Sequence, residues 1–310
     1  MPRRPGSGSG LRPPSAAPAV LLAREHRRAA LERHVRSGDV ERLSRGVYLR
    51  RTDDVTARDR VVAAIVGTHR RLHCEHAMGH LSAAVLHGLP VWRVDPKVHL
   101  YQRSTPGGRA DPSIVRHVPL PPPHDRTTVA GIPATTLVRT VWDCLTTLPP
   151  ADALVLADAA LRAGVDRSAL EGRFRPRARG AARALAVLAF ADDGAESPPE
   201  SICRFQVLRA GLPVPSTQVE VTTRLGTFWG DLGWPEWRLL LEYDGRPKYD
   251  GTEALMAEKR RHDALVEAGW RALRITKEDL TPPGQLLRRV TPLLPAGTTS
   301  TLRPRRELSW

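Results

Sequence analysis

The chain has 310 residues, which is enough for a sizeable core and for two or more domains. Its 47 lysine and arginine residues against 33 aspartate and glutamate residues give a formal net charge of +14, which favours a polyanionic partner, most often nucleic acid. The three cysteines are isolated and no apolar run reaches membrane-spanning length, so we expect no disulfide framework, no membrane partner and a cytoplasmic location.

Residues 1–18 are rich in proline, glycine, serine and arginine, which predicts a disordered basic tail. In residues 26–36, apolar side chains recur at helical spacing among basic ones, and Gly38 follows as a helix stop. Residues 40–49 then fit two short strands joined by a turn. A basic helix followed by a basic hairpin is typical of a winged helix-turn-helix, so we predict a winged-helix DNA-binding domain over residues 19–52.

Residues 31–49, which close on Arg45-Gly46-Val47-Tyr48, resemble the N-terminal domain of AbiEi-type antitoxins, winged-helix repressors of toxin–antitoxin operons. The resemblance implies DNA as a partner, together with a possible toxin partner. On the helix and then the wing, the side chains that would face DNA are Arg27, Arg28, Arg33, Arg36, Arg42 and Arg45. The alternative is that several of these arginines form only a solvated helix face.

The middle region, residues 53–193, is predicted as a mixed α/β scaffold. Its helices are expected at residues 61–66, 81–90, 135–148, 151–163 and 181–190, and its strands at residues 98–101 and 114–118. The run His73-Cys74-Glu75-His76, with His80 one helical turn further on, invites a metal interpretation. A zinc site needs three or four converging ligands, and the zinc-protease order His-Glu-x-x-His is absent, so we predict no zinc site in this segment.

The C-terminal region opens with a helix whose start and stop signals are explicit. Ser197 can cap the N-terminus, Pro198 suits the first turn, and Gly211 ends the helix. The elements expected after it are strands at residues 218–222, 227–232 and 237–244, a helix at 252–268, a strand at 270–275, a helix at 276–280 and a short helix within 282–295.

Acidic residues lie at the ends of two neighbouring predicted strands. The apolar run at residues 239–241 indicates a strand buried on both faces, and it ends in Glu242-Tyr243-Asp244-Gly245. Because side chains alternate along a strand, Glu242 and Asp244 point to one side, and Asp231 comes from the preceding strand. Such carboxylates need a cation, basic partners or shared protons. The alternative is a hairpin turn at Asp244-Gly245, with Glu242 on an exposed edge.

The order helix, three-strand meander, helix, strand, helix is the core topology of PD-(D/E)XK nucleases. Several motifs of residues 197–280 resemble the endonuclease-like domains related to very-short-patch-repair (Vsr) enzymes, commonly catalogued as a domain of unknown function. They are Pro199-Glu-Ser, Gly211-Leu-Pro, Asp231-x-x-Trp-Pro-Glu, Leu241-Glu-Tyr-Asp-Gly and Lys259-Arg-Arg-His-Asp. We therefore predict a Vsr-like PD-(D/E)XK domain over residues 194–295, followed by a frayed basic tail at residues 296–310.

The resemblance implies a magnesium site. Asp231 and Glu242 would bind Mg²⁺ (or Mn²⁺), with the Tyr243 carbonyl as a further ligand, and Glu200 would orient the attacking water. The wider class usually has a lysine two residues after the second acid, where this chain has Asp244.

The general base is left open by this substitution. Lys259 and His262 fall on one face of the predicted helix at 252–268, together with Val266, and would reach back over the sheet toward the acids. Lys248, just after the predicted turn, is the other candidate.

The predicted fold class is α/β (α+β), with an N-terminal winged helix-turn-helix, a middle mixed α/β region and a C-terminal restriction-endonuclease-like mixed sheet flanked by helices. The predicted function is a metal-dependent DNA endonuclease that the winged helix docks on the duplex. One alternative is a non-enzymatic, AbiEi antitoxin-like transcriptional repressor with a degenerate nuclease fold. Another is a C-terminal fold that only mediates protein contacts. The target sequence and the oligomeric state are left open.

Overall fold

The computed structural model describes residues 11, 13–14, 19–105, 107, 110–245, 252–282 and 284–309. Most of the predicted tail at 1–18, and Lys248, lie outside the described residues. The helices are α1 (Arg28–Ser37), α2 (Ala57–Arg71), α3 (His80–Leu86), α4 (Leu137–Thr147), α5 (Pro150–Arg162), α6 (Arg167–Glu171), α7 (Ala181–Ala189), α8 (Pro198–Arg209), α9 (Thr252–Glu267), α10 (Lys277–Leu280), α11 (Gln285–Val290) and α12 (Thr298–Thr301). The strands are β1 (Val20–Leu22), β2 (Val40–Ser44), β3 (Val47–Arg50), β4 (His76–Met78), β5 (Val98–Gln102), β6 (Ile114–His117), β7 (Arg126–Val129), β8 (Ile132–Thr135), β9 (Ser216–Thr223), β10 (Gly226–Trp234), β11 (Leu239–Tyr243) and β12 (Arg271–Ile275).

These elements form an α+β fold, as predicted, and the chain divides into two compact units. Among the described residues, the N-terminal unit comprises those of 11–147 and 165–175, and the C-terminal unit comprises those of 148–164 and 176–309. The predicted boundary at residue 194 therefore falls inside the C-terminal unit, which also contains α5 and α7. None of the helices among the described residues combines the length and apolar character that crossing a bilayer requires.

A buried ion pair explains why α5 belongs with the C-terminal unit. Asp158 on α5 accepts a hydrogen bond from Arg204 on α8 at 2.5 Å, and both side chains are only 1% exposed. The same carboxylate accepts from the backbone N–H of Asp192 at 2.8 Å. Separating a fully buried ion pair leaves an uncompensated charge, which is strongly unfavourable. The pair therefore holds α5, α8 and the Asp192 loop together.

The beginning of the N-terminal unit combines a small antiparallel sheet with two helices. The strand order is β1-β3-β2, and α1 directly precedes the β2–β3 hairpin, as the sequence predicts. The hairpin turns at Gly46, whose φ of +73° suits glycine. α2 packs close to the sheet at Gly67, since a Cβ there would lie 2.2 Å from Val47 Cγ1.

The rest of the N-terminal unit is built on a five-stranded sheet in the order β6-β5-β4-β8-β7. β5 runs parallel to β6 and antiparallel to β4. Val98, Leu100 and Ile114 join the hydrophobic core on one face of this sheet. Because side chains alternate along a strand, His99 and Tyr101 lie on the other face. β5 and β6 agree with the sequence-based prediction, whereas β4, β7 and β8 were not predicted.

The C-terminal unit contains a four-stranded sheet in the order β12-β11-β10-β9. β9, β10 and β11 form an antiparallel meander, and β12 returns parallel to β11 after α9. The predicted order of elements is therefore observed. Leu239, Leu240 and Leu241 are fully buried, which is the burial on both faces expected for this run. β11 is an inner strand, so Glu242 is not at an exposed edge.

The C-terminal segment 296–309 is mostly exposed, but contacts at residues 303–308 anchor it, which the predicted frayed tail did not include. The guanidinium of Arg305 lies 5.1 Å from the centre of the Phe190 ring, and its backbone N–H donates to the Arg209 carbonyl at 3.0 Å. Leu308 is only 1% exposed. Gly211 (φ +92°) permits a close approach, since a Cβ there would lie 2.2 Å from the Arg303 carbonyl oxygen. The polar composition of this segment concealed these few anchoring contacts.

Candidate functional site

The predicted acids Asp231 and Glu242 lie side by side on two adjacent strands of the C-terminal unit. β10 and β11 pair with Leu232 opposite Leu241, and extending this register by one residue places Asp231 beside Glu242. The backbone N–H of Tyr243 donates to Asp231 Oδ2 at 2.7 Å, so Tyr243 adjoins the acids through its backbone. We call Glu200, Asp231 and Glu242 the acidic cluster.

Asp231 lies near enough to Glu200 and Glu242 for their negative charges to affect its pKa. Burial first, and then the negative charge of Glu200, raise the pKa of Asp231 from 3.8 to about 7. The charge of Glu242 adds to this rise, whereas the Tyr243 N–H and the positive charge of Arg261 oppose it. Asp231 therefore experiences more negative than positive charge at its position in the sheet.

Glu200 has a structural role as well as a place in the acidic cluster. It lies in the first turn of α8 and is only 8% exposed. Its two carboxylate oxygens accept hydrogen bonds from the Ser197 hydroxyl and from the Glu196 N–H, each at 2.7 Å. Burial nevertheless raises its pKa, against the effect of these two hydrogen bonds. The predicted cap at Ser197 is observed, and it fixes where the Glu200 carboxylate sits.

Arg261 is the counter-charge of the acidic cluster, and the sequence-based prediction missed it. Its Nη2 donates to Glu242 Oε1 at 2.5 Å, and its guanidinium lies 5.5 Å from the centre of the Phe228 ring. Arg261 is 25% exposed at the side chain and Glu242 is 13% exposed. The helical spacing of Arg261 with the buried Ala264 and Leu265 was the signal that could have found it.

An ion-pair chain continues from Arg261 to Asp244. Glu258 lies 3.6 Å from Arg261 and also pairs with Arg274 on β12. Arg274 Nη1 in turn lies 3.6 Å from Asp244 Oδ2. Asp244 follows β11 directly but is joined to Glu242 through this chain of alternating charges.

Lys259 and His262 do not face the acids, which corrects the predicted orientation of α9. Both side chains are exposed, and Val266 on the same predicted face is 53% exposed. The helix turns its Ala264 and Leu265 face to the sheet instead, because that face carries small and apolar side chains. Neither Lys259 nor His262 is therefore positioned as a general base in this structure.

The predicted DNA-facing arginines of the N-terminal unit lie on its surface. All six are exposed: Arg27, Arg28, Arg33, Arg36, Arg42 and Arg45. A groove of about 850 Å³ beside α1 is lined by Arg24, Arg28, Arg36 and Arg42, with Glu32 as an acidic wall residue. Glu32 pairs with Arg28 at 2.7 Å. Helix and hairpin thus present a mainly positive, open surface.

A second polar cluster, which was not predicted, lies on the polar face of the five-stranded sheet. β5 carries His99 and Tyr101 on that face, and β6 places His117 opposite Tyr101. His80, the first residue of α3, follows β4 after the single residue Gly79 and completes the set. We call His80, His99 and His117 the histidine cluster. The signal in the sequence was the alternation of two polar rings along an otherwise apolar strand.

The ligand atoms of the histidine cluster converge. Within the described part of the chain, it is the one group of three or more His, Cys, Asp or Glu side chains whose ligand atoms all lie within 4.8 Å of one another. The acidic cluster does not reach this closeness. Burial and the nearby His117 lower the pKa of His80 to about 2, and burial lowers the pKa of His117 to about 4. Both rings are therefore neutral at neutral pH.

The fold and these clusters define an α+β protein of two units, each of which gathers titratable side chains beside a sheet. The chain is 30% identical over 276 residues to the uncharacterized proteins MT2308 and Rv2248, from the CDC 1551 and H37Rv strains of Mycobacterium tuberculosis. The match covers 85% of this chain and 95% of each relative, so the chain belongs to the family that these mycobacterial proteins represent. No family model and no solved structure matches the chain.

Proposed function

We propose that the C-terminal unit is a metal-dependent endonuclease that hydrolyses DNA phosphodiester bonds, and that α1 and the β2–β3 hairpin dock the duplex. The observation that carries the proposal is the pairing of β10 with β11, which sets Asp231 beside Glu242. Burial, and then the negative charges of Glu200 and Glu242, raise the pKa of Asp231 to about 7. Buried like charges of this kind fit a divalent cation that accepts oxygen ligands. A cytoplasmic location, with access to chromosomal DNA, is part of the proposal.

The acidic cluster and its neighbours would divide the work among them. Asp231 and Glu242, with the Tyr243 carbonyl, would hold Mg²⁺ or Mn²⁺. The bound ion would lower the pKa of an attacking water and stabilise charge on the phosphate. Glu200, fixed by its hydrogen bonds to Ser197 and Glu196, would orient that water. Arg261 is partly exposed beside Glu242, and its guanidinium suits contact with a phosphate oxygen.

A plasmid-nicking assay with Mg²⁺ or Mn²⁺ tests this proposal. We expect wild-type protein to nick DNA and the variants Asp231→Ala and Glu242→Ala to lose activity by about 100-fold or more, because each removes a proposed ion ligand. Glu220→Ala is the matched control, since Glu220 is an exposed carboxylate on the neighbouring strand β9. Undiminished nicking by both site variants would exclude the assigned site.

A second function, that of a non-enzymatic antitoxin-like repressor, is favoured by one specific observation. Arg261 forms an ion pair with Glu242, so the site already has a counter-charge. Lys259 and His262 are exposed on α9 and do not face the acids, so the site has no assigned general base. This function predicts sequence-specific operator binding, no cleavage of any substrate, and a toxin as partner. Calorimetry of the full chain with Mn²⁺ separates the two, since only the nuclease requires binding that Asp231→Ala abolishes.

Both functions require DNA binding by the N-terminal unit, and this requirement has its own test. Replacing Arg33 or Arg36 by alanine should weaken binding across all DNA sequences and reduce the salt dependence by about one counterion per arginine. Arg103→Ala is the control, because Arg103 is 77% exposed, lies on the same unit and is paired with Glu75. An unchanged salt slope for the α1 variants, measured by fluorescence anisotropy, would remove α1 from the interface.

A further inference from the structure

The histidine cluster combines three imidazole rings from three different elements. The rings of His80 and His117 stack with centroids 3.9 Å apart and planes 23° apart. His99 Nδ1 and His117 Nε2 lie 3.2 Å apart. His80 is 5% exposed, whereas His99 and His117 are half-buried and leave a route to solvent.

We propose that His80, His99 and His117 form a binding site for one divalent transition-metal ion. Zinc is the ion that suits it, because zinc accepts three imidazole nitrogens and keeps a fourth position for water or another ligand. This site is separate from the acidic cluster, whose oxygen ligands suit harder ions.

The spacing of the nitrogen atoms supports a tetrahedral ion. Zinc–nitrogen bonds of about 2.0–2.1 Å at tetrahedral angles place two ligand nitrogens about 3.3–3.4 Å apart. The 3.2 Å between His99 Nδ1 and His117 Nε2 is close to this value. The third nitrogen, from His80, lies within 4.8 Å of the other two. Zinc binding would require the His80 ring to turn from its hydroxyl partners toward these two nitrogens.

The surroundings of His99 orient it as a metal ligand. His99 Nε2 lies 3.0 Å from Asp95 Oδ2, so a neutral His99 donates its one N–H to this carboxylate. The Nδ1 lone pair then points toward His117. Metal-binding histidines typically donate their second ring nitrogen to a carboxylate in this way, which fixes the tautomer and makes the ligand more basic.

One ring nitrogen of His80 faces a hydroxyl oxygen and receives no proton from it. The Tyr101 hydroxyl donates to Asp143 Oδ2 at 2.9 Å, and the Thr147 hydroxyl donates to the Asp143 carbonyl at 2.7 Å. The Tyr101 hydroxyl oxygen lies 3.1 Å from His80 Nε2, and the Thr147 hydroxyl oxygen lies 3.2 Å from His80 Nδ1. Since both hydroxyl protons are used and neutral His80 has one N–H, one of its nitrogens has a lone pair without a proton partner.

The backbone at His80 is also held in an unusual conformation. Its φ is +49°, a left-handed conformation that strains a non-glycine residue and is enriched at ligand sites. The preceding Gly79 permits the close approach of Tyr101, because a Cβ there would lie 2.5 Å from the Tyr101 ring. His80 therefore stacks on His117 with a strained backbone, and the Tyr101 ring packs closely against Gly79.

The test is zinc binding by the full-length protein after treatment with a chelator. Wild-type protein should bind one zinc ion in competition with a chromophoric chelator, and His99→Asn and His117→Asn should each weaken the affinity by at least about 100-fold. Asp95→Asn should weaken it by about 10–100-fold, the usual effect of removing a partner of a ligand. His69→Asn is the matched control, because His69 forms a histidine pair with His76 at 3.0 Å outside the cluster.

Several outcomes would overturn the proposal. They are the absence of stoichiometric zinc binding by the wild type, unchanged affinity in the His99 and His117 variants, or loss of zinc in Asp231→Ala instead. If a variant fails to fold by circular dichroism, X-ray absorption on the zinc-loaded wild type decides the question. Three imidazoles around zinc support the site, and fewer than three contradict it.

Discussion

The two units both place titratable side chains beside a sheet, but they deal with charge in opposite ways. In the acidic cluster, the negative charges of Glu200 and Glu242 raise the pKa of buried Asp231, and the positive charge of Arg261 offsets only part of this rise. In the histidine cluster, burial lowers the pKa of His80 and of His117, so these two rings carry no charge at neutral pH. Protons relieve the repulsion in the acidic cluster, and a cation would do the same, whereas the histidine cluster offers imidazole lone pairs. We therefore propose a hard ion for the acidic cluster and a borderline transition metal for the histidine cluster.

Asp231→Asn should change stability most, and it should do so only at high pH. The folded-state pKa of Asp231, about 7, exceeds its ordinary value of 3.8, so ionisation in the folded protein costs stability as pH rises from about 4 through 7. Asparagine removes this cost and still accepts the Tyr243 N–H. We expect the variant to be more stable than wild type by about 2–4 kcal/mol at pH 8, and equal to it near pH 4.

Urea denaturation at pH 4, 6 and 8 measures this difference. Asp263→Asn is the control, since Asp263 is an exposed carboxylate on α9 and its replacement should leave the curves unchanged. A gap between Asp231→Asn and wild type that is the same at all three pH values would show that Asp231 carries no strained charge.

Arg261→Ala should destabilise the C-terminal unit, because it leaves Glu242 without its counter-charge and Phe228 without its cation contact. Breaking a fully buried pair costs roughly 3–5 kcal/mol, and the partial exposure of this pair lowers our expectation to about 2 kcal/mol. If the acidic cluster binds cations, Mn²⁺ should restore the loss, by about 2.7 kcal/mol at 100 times the dissociation constant.

Thermal denaturation with and without Mn²⁺ checks this expectation. Arg224→Ala is the matched control, because the Arg224–Glu267 pair is more than half exposed at both side chains and should contribute little to stability. A variant that is destabilised but gains nothing from Mn²⁺ would mean that Arg261 has a structural role only.

The C-terminal unit was the more predictable of the two, for physical reasons. Its helix caps at Ser197 and Gly211 and the apolar run at 239–241 are local signals, and adjacent strands necessarily bring Asp231 beside Glu242. Arg261 was missed because the face that α9 turns to the sheet depends on tertiary packing. In the N-terminal unit, β4 has only three residues, too few for a periodic signal.

The histidine cluster was hidden from the sequence because its members come from different elements. His80 follows β4, His99 lies on β5 and His117 lies on β6, so no fixed spacing connects them. The neighbouring segment from His73 to His76 looked more like a metal site, yet His76 contacts His69 and the Cys74 carbonyl instead. The order of the strands, which the sequence does not reveal, determines that His99 and His117 share one face of the sheet.

Tyr101→Phe should have the smallest effect of the three variants, and it tests whether hydrogen bonds alone hold the histidine cluster. The Tyr101 hydroxyl joins His80, Asp143 and Arg139, so its loss removes one partner from each. Asp143 and Arg139 remain bonded to each other at 2.8 Å, which limits the cost to about 1 kcal/mol. Urea denaturation of chelator-treated protein measures it.

Tyr101→Phe also tests whether the proposed zinc site depends on the Tyr101 hydroxyl. Since Tyr101 is a neighbour of His80 and not one of the three proposed ligands, Tyr101→Phe should retain stoichiometric zinc binding. Tyr48→Phe, on β3 of the same unit, is the control and should change stability by less than about 0.5 kcal/mol. A cost well above that of Arg261→Ala would mean that the Tyr101–Asp143–Arg139 network, rather than packing of the rings, organises this face of the sheet. The histidines would then be partners in a polar network that is complete without an ion.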